Sequence, residues 1–388
     1  MFRHPGLYTW VDTVASHFPQ LSKPQALVLA LWSFGMTIAK SCALGAVADS
    51  LATLLGRSFG TMRERLRDMY REAGAKSGQK RDELDLNVCW APWLTWVLKS
   101  WSNKQVAIAI DATTLGERFV VLAISVLYRG CAVPVAWKIL SATGKHPWEP
   151  EWLALLKHFK ATIPPDWTVI VLADRGLYAK WLFLAIIGLG WHPLLRINQQ
   201  GTFRRQGRCR WTPLTELVPS VGRSFAGHGT IFQSKKARLE CVLLARWDEG
   251  YKEAWLVLTD LPPHSANVCW YGLRAWIEQG FKRLKRGGWQ WQYTRMEDPA
   301  RAERVWLALA LATWWLLSVG GEAEASLPVE TMSQVPGSVR RQRQGWRLVG
   351  IFRHGWNLIM AALLNHQPIP LSYGVPEPWP ILPKIEVI

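Results

Sequence analysis

The sequence predicts an α/β protein: a mixed sheet core, preceded by a helical N-terminal module and interrupted by a β-rich insertion. Three observations carry that reading. From Gln105 to Ile197 the apolar pattern runs as three strands, a helix, a strand, a helix and a further strand, the order of an α/β layer. Residues 198 to 262 hold short alternating stretches punctuated by Gly and Pro, with no long helical period. Residues 1 to about 95 are helical in periodicity.

Composition narrows the function. A chain of 388 residues with 49% hydrophobic and 19% charged residues buries a sizeable core and is not disordered. Lys and Arg outnumber Asp and Glu 46 to 29, a net charge of +17 spread over many segments. That excess points to a polyanion, nucleic acid ahead of an acidic membrane. The 25 Trp residues exceed ordinary usage, and Trp interleaved with Arg and Lys suits stacking on exposed bases as well as core packing. Six Cys, at 42, 89, 131, 209, 241 and 269, lack metal-ligand spacing and read as reduced, buried thiols of a cytoplasmic protein. No signal pattern opens the chain. Two apolar runs, 25–48 and 305–319, read as buried helices: Lys40 and several Gly interrupt the first, and the second has 15 residues before a Gly pair, short of the roughly 20 that span a bilayer. No membrane partner is expected.

Taken in order, Ser22-Lys23-Pro24 opens a helix with a cap and an early Pro. Thr61 to Lys76 keeps Met62, Leu66, Met69 and Ala73 on an apolar stripe, while Arg63, Arg65, Arg67 and Arg71 cover the rest. Such a helix serves equally as a reader of duplex DNA or as a solvated charged surface. Residues 79–87 form a charged connector and Trp90 to Trp101 an aromatic helix. Val106–Ile110, Arg118–Tyr128 and Cys131–Ile139 follow as antiparallel strands, with Asp111 ending the first. Trp148–Ile163 is expected as helix, Thr168–Ala173 as a buried strand ending at Asp174, Tyr178–Ile187 as helix and Trp191–Ile197 as strand. The insertion carries Arg204, Arg205, Arg208, Arg210, Lys235, Lys236 and Arg238. Tyr271 to Lys285 is expected as one helix, and Ala300 to Val319 as another with Arg301 and Arg304 on its exposed side. A Gly/Pro/Ser-rich linker, a basic cluster at Arg340, Arg341, Arg343 and Arg347, a helix from Trp346 to Leu364 and an extended, Pro-rich end complete the chain. The expected units are therefore 1–95, a discontinuous core of 100–197 with 263–321, the insertion 198–262 and a C-terminal region 322–388.

Chemistry centres on three carboxylates. On a helix from Tyr271, the side chains of Tyr271, Arg274, Glu278, Lys282 and Lys285 fall within an arc of about 80°. Leu273, Trp276, Ile277, Phe281 and Leu284 form the apolar face beside it. If their strands are parallel neighbours, Asp111 and Asp174 share one sheet edge, and the later helix delivers Glu278 to it. Oxygen-only donors favour a hard cation, Mg²⁺ or Mn²⁺. Two such ions about 3.5–4 Å apart suit an in-line phosphoryl displacement. Taken singly, each Asp also reads as a turn former at a strand end, and Glu278 as the partner of Lys282 in an i,i+4 pair.

AIDAT at 109–113, LADRG at 172–176 and the spacing Tyr271, two residues, Arg274, three residues, Glu278, six residues, Lys285 resemble the DDE transposases of bacterial insertion sequences, specifically the insertion-sequence-four-like group with its Y-(2)-R-(3)-E-(6)-K signature. The resemblance implies a ribonuclease-H-like core. It implies cut-and-paste chemistry: hydrolytic nicking at element ends, second-strand release, which runs through a hairpin in the best-known members, and strand transfer into target DNA. On it, Asp111, Asp174 and Glu278 are the catalytic ligands of two Mg²⁺ ions, for which Mn²⁺ substitutes. Tyr271, Arg274 and Lys285 grip phosphates, with Lys282 auxiliary. Trp247, Tyr251, Trp255 and Trp276 are the candidates for stacking a flipped base. Double-stranded DNA, held by a homodimer, is the implied partner, with Arg63, Arg67, Arg204, Arg205, Lys235, Lys236, Arg340 and Arg341 as further contacts. Two rival readings stand beside this one: a domesticated, non-catalytic DNA-binding protein, and a ribonuclease-H-like nuclease that cuts without joining.

Overall fold

The computed structural model describes residues 4–76, 82–144, 147–326 and 350–379. The N-terminal helices are α1 (Pro5–His17), α2 (Lys23–Ala39), α3 (Leu44–Leu55), α4 (Phe59–Arg67) and α5 (Trp90–Val97). Ser22 and Gln25 form a reciprocal capping box at the start of α2, which satisfies two otherwise orphaned N–H groups. The basic helix is shorter than expected and stops at Arg67. Side chains from elsewhere take carbonyls at its end and in the turn that follows: Trp32 Nε1 donates to Leu66 O (2.7 Å) and Arg304 Nη1 to Tyr70 O (2.7 Å).

Next come β1 (Gln105–Leu115), β2 (Phe119–Tyr128), β3 (Cys131–Ser141), α6 (Trp148–Lys157), β4 (Thr168–Ala173), α7 (Lys180–Gly188) and β5 (His192–Arg196). As expected, β1, β2 and β3 pair antiparallel. Strands β1, β4 and β5 are parallel neighbours. Helix α6 ends six residues early, and Ala161 in the turn that follows has φ 60°, a left-handed conformation that no helix continues. The insertion supplies β6 (Thr202–Arg205), β7 (Thr212–Pro213), α8 (Leu214–Leu217), β8 (Ser224–Ile231), β9 (Leu239–Arg246) and β10 (Trp255–Thr259). It does not form a separate layer. Because β10 pairs antiparallel with β5, the strands join one ten-stranded sheet in the order β3-β2-β1-β4-β5-β10-β9-β8-β6-β7.

Beyond the sheet, a 3₁₀ segment (Val268–Arg274) leads into α9 (Ala275–Leu284), followed by α10 (Pro299–Ala325) and α11 (Ile351–Leu364). Helix α10 runs past Val319, because Gly320 and Gly321 do not break it. A Cβ on Gly320 would lie 2.0 Å from Ile351 O, and one on Gly355 would lie 1.9 Å from Leu316 O. These glycines let α10 and α11 meet backbone to backbone. Gly355→Val is therefore expected to cost about 3 kcal/mol, the upper range for overpacking, read as a lowered urea midpoint at unchanged slope.

With 27 residues, α10 is long and apolar enough to cross a bilayer, which corrects the length expectation, but 94% of its apolar window is buried inside the protein. Trp315 on α10 stacks on Trp10 of α1 at 4.1 Å, and one contiguous cluster of buried side chains joins the N-terminal helices, the sheet and α10. Arg304 is not on the exposed side. It is buried against Tyr70 O and the Glu83 carboxylate, while Arg301 forks onto Glu72 at 2.9 and 2.7 Å and holds that carboxyl down to about 2. No disulfide joins any of the six cysteines, all of which lie among the described residues. Burial pushes the thiols of Cys42, Cys89 and Cys241 up to about 12, whereas Cys209, on the arm between β6 and β7, is exposed and Cys269 is half-buried, contrary to expectation.

Candidate active site

The parallel register of β1 and β4 aligns Ala109 with Leu172. Asp111 and Asp174 each lie two residues further on, so the two carboxylates stand at one level, where β4 runs out. Strand β1 does not end at Asp111; it continues to Leu115 on the support of β2, with Asp111 opposite Ala123. One oxygen of each Asp is held by backbone. Asp111 Oδ1 accepts from Ala112 N at 2.9 Å, and Asp174 Oδ1 accepts from Gly176 N at 2.9 Å and Leu177 N at 3.2 Å. A Cβ on Gly176 would sit 3.2 Å from that oxygen, a tight contact at this turn. Both Oδ2 atoms are left to point at the same place.

Arg274 occupies that place. Its Nη2 donates to Asp111 Oδ2 (2.9 Å) and Asp174 Oδ2 (3.2 Å), and its Nη1 donates to Glu278 Oε1 (3.2 Å). The expected Glu278–Lys282 pair gives way to this one. Nor is 271–285 one α-helix. Asn267 caps a 3₁₀ turn by accepting from Cys269 N, and three residues per turn put Val268, Tyr271 and Arg274 in line. Helix α9 then seats on β3 at Gly280, where a Cβ would meet Ala132 O at 2.9 Å. Burial pushes the Asp111 carboxyl up, a tendency that Arg274 and the Ala112 N–H oppose and the Asp174 and Glu278 charges reinforce.

Lys285 Nζ donates to Thr113 Oγ1 (2.8 Å) and Thr114 O (2.7 Å), and burial lowers its pKa. Exposed Lys282 joins Glu278, Gln279, Lys285 and Arg286 around a cleft of about 750 Å³. The Tyr271 ring is buried and packs edge-on against Trp255 at 5.3 Å; burial raises its pKa, a tendency that Arg274 and Arg196 oppose. Trp255 in turn meets half-exposed Tyr251 at 5.2 Å, and Trp247 Nε1 donates to Tyr251 O. These three aromatics form a file ending on Tyr271, whereas Trp276 lies beside Glu377, Pro378 and Trp379 instead.

Those of the remaining candidates that lie among the described residues make other contacts. Arg63 is exposed and Arg67 pairs with Glu64 (2.7 Å). Arg204 lies over Trp211 and Arg205 over Phe225, and Lys235 and Lys236 are exposed between β8 and β9. Arg340 and Arg341 fall outside the described residues. Sequence reasoning missed Arg175, Arg196 and Glu253: Glu253 Oε1 accepts from Arg175 Nη1 and Arg196 Nη2, both at 2.8 Å. The available signal was position, since Arg175 follows Asp174 and Arg196 ends β5.

Among the described residues, no three His, Cys, Asp or Glu side chains form a ready metal cage, and Arg274 is bonded to all three carboxylates. Their chemistry nevertheless fits a divalent ion. All donors are hard carboxylate oxygens, and they already converge on one cationic group. A family model described as Transposase DDE domain matches residues 103–315, more than half of the chain. No curated protein matches the chain.

Proposed function

Since the chain belongs to the DDE transposase family, we propose that it is the transposase of an insertion sequence of the insertion-sequence-four-like group. In this reading it binds element-end DNA and catalyses Mg²⁺-dependent strand cleavage and transfer. The observation that carries the proposal is the convergence of Asp111, Asp174 and Glu278 from β1, the end of β4 and α9 on a single guanidinium. Three elements far apart in sequence gather negative charge where a basic protein would present cations to DNA.

Bound divalent ions would supply Lewis-acid stabilisation of the attacking and leaving oxygens. The carboxylate oxygens now bonded to Arg274 would hold them. Once a DNA phosphate reaches the site, Arg274 exchanges carboxylates for phosphate oxygens, a geometry its planar fork also fits. Lys285, steadied by Thr113 and Thr114 O, sets a fixed positive charge beside the cleft, and Lys282 adds a second. In nicking, a water oxygen attacks phosphorus and the 3′ oxygen leaves as a hydroxyl. In joining, that hydroxyl attacks a target phosphorus and displaces the target strand's 3′ oxygen. The half-exposed Tyr251, at the open end of the file to Tyr271, is the best-placed surface for a base unstacked in a hairpin step. Arg63, Arg67, Arg204, Arg205, Lys235 and Lys236 bind phosphates away from the cut, and a homodimer bridges two element ends.

Purified protein, Mg²⁺ and labelled element-end DNA are expected to yield 3′-hydroxyl nicks and joined products. Absence of nicking overturns the proposal, and nicking without joining replaces it with a plain nuclease. Binding to the same DNA is expected to weaken about 1,000-fold between 50 and 200 mM salt, the response of roughly six phosphate contacts. A flat salt profile in a fluorescence anisotropy titration contradicts the basic-surface reading.

A further inference from the structure

After α11 the chain runs from Gln367 to Trp379 with neither helix nor strand, yet it is tied down along most of its length. Trp315 Nε1 donates to Pro370 O (2.9 Å) and Ser100 Oγ to Tyr373 O (2.8 Å), with a second contact to Gly374 O. Lys99 Nζ lies 4.1 Å from the centre of the Tyr373 ring. Val375 N donates to the Tyr128 hydroxyl (3.0 Å), and Arg129 Nε donates to Val375 O (2.7 Å). Gly374 has φ 78°, and a Cβ there would lie 2.6 Å from the Trp314 ring. Glycine alone suits that turn, on both counts.

The strap ends on the catalytic segment. Trp379, 8% exposed, meets Trp270 edge-to-face at 4.9 Å. Trp270 is the residue before Tyr271. Leu273 and Trp276 line one small crevice with Glu377, Pro378 and Trp379, and the space left in it is only about 10 Å³. The seat is filled. Helix α9 is fixed at its middle by Gly280 on Ala132, but the 3₁₀ segment before it has weaker hydrogen-bond geometry of its own. That segment carries Tyr271 and Arg274 and sets the angle at which Glu278 approaches.

We propose that residues 368–379 are a positioning strap for the catalytic helix, with Trp379 the residue that holds the 3₁₀ segment in register with Asp111 and Asp174. Its catalytic consequence rests on the transposase reading; its structural consequence does not. Misplacement of a reacting group by about 1 Å lowers rates by about 100-fold, so a support behind Trp270 acts on chemistry without touching DNA.

Hydrogen exchange on the full chain tests the structural part. In Trp379→Ala, amides 268–284 are expected to exchange about tenfold faster, with α1 to α3 and β1 to β4 unchanged and Trp379→Phe restoring protection. Nicking kcat is expected to fall about tenfold or more at unchanged KM for element-end DNA. Unchanged exchange over 268–284, or a uniform rise along the whole chain, overturns the proposal. Trp379→Leu, which keeps the seat apolar, is read the same way should the Ala variant fail to fold. A wild-type chain that never nicks overturns the transposase reading and leaves the exchange result standing. Normal exchange in Trp379→Ala of a chain whose wild type does nick overturns the strap alone.

Discussion

Asp174→Asn is expected to lower Mg²⁺-dependent nicking of element-end DNA by about 1,000-fold, the upper range for losing one preorganised charge at a reacting centre, while binding that DNA as well as the wild type or better. Asn is the informative substitution. Asp174 Oδ1 holds the Gly176 and Leu177 N–H groups, and an amide oxygen keeps accepting both, so the turn after β4 survives. What disappears is the charge on the other oxygen, the one facing Arg274. Binding is spared or improved because one negative charge fewer stands near the phosphate. Asp174→Ala loses turn and charge together, and a larger stability loss than in the Asn variant measures what the turn contributes. Nicking by the Asn variant within about threefold of wild type would show that the carboxylate is not a ligand.

Arg274→Ala is expected to produce two effects of opposite sign. Without DNA, Mn²⁺ binding tightens by about tenfold or more, because the ion no longer displaces charge-assisted hydrogen bonds worth about 1.5–3 kcal/mol each. With DNA, nicking falls about 100-fold, because the group that trades carboxylates for phosphate is gone. Titration of Mn²⁺ by electron paramagnetic resonance reads the first effect and a gel assay the second. Arg274→Lys is expected to rescue neither fully, since a point charge cannot span Asp111, Asp174 and Glu278 at once. Unchanged Mn²⁺ affinity in Arg274→Ala would mean that the guanidinium does not compete for the ion's place.

Which parts were legible in the sequence follows from how local their causes are. Asp111 and Asp174 could be read because each directly follows a buried apolar run, Val106–Ile110 and Val169–Ala173, and the parallel pairing of β1 and β4 then brings them level. Arg274 and Glu278 could be read as neighbours because helical spacing alone brings them within 3.2 Å. What escaped was long-range. The seam between β10 and β5 is a register between segments some sixty residues apart, and nothing in the alternation of either strand names its partner. The Gly320–Gly321 pair read as a helix end because the backbone that Gly320 touches, at Ile351, belongs to another helix. Arg304 read as solvated because its partners, Tyr70 O and Glu83, lie more than two hundred residues earlier. The 3₁₀ start of the catalytic helix escaped because its residues are compatible with either geometry.

The stacking of Trp315 on Trp10 and its contact with Phe34 have a consequence for biosynthesis. Helices α1 and α2 leave the ribosome early and Trp96 of α5 covers part of Trp10, but the ring that stacks on Trp10 and meets Phe34 belongs to α10, at residue 315. Until that stretch emerges, the nascent chain carries exposed tryptophans and phenylalanines on its N-terminal helices. During that interval the growing chain is most in need of a chaperone, and truncations before Pro299 are expected to aggregate.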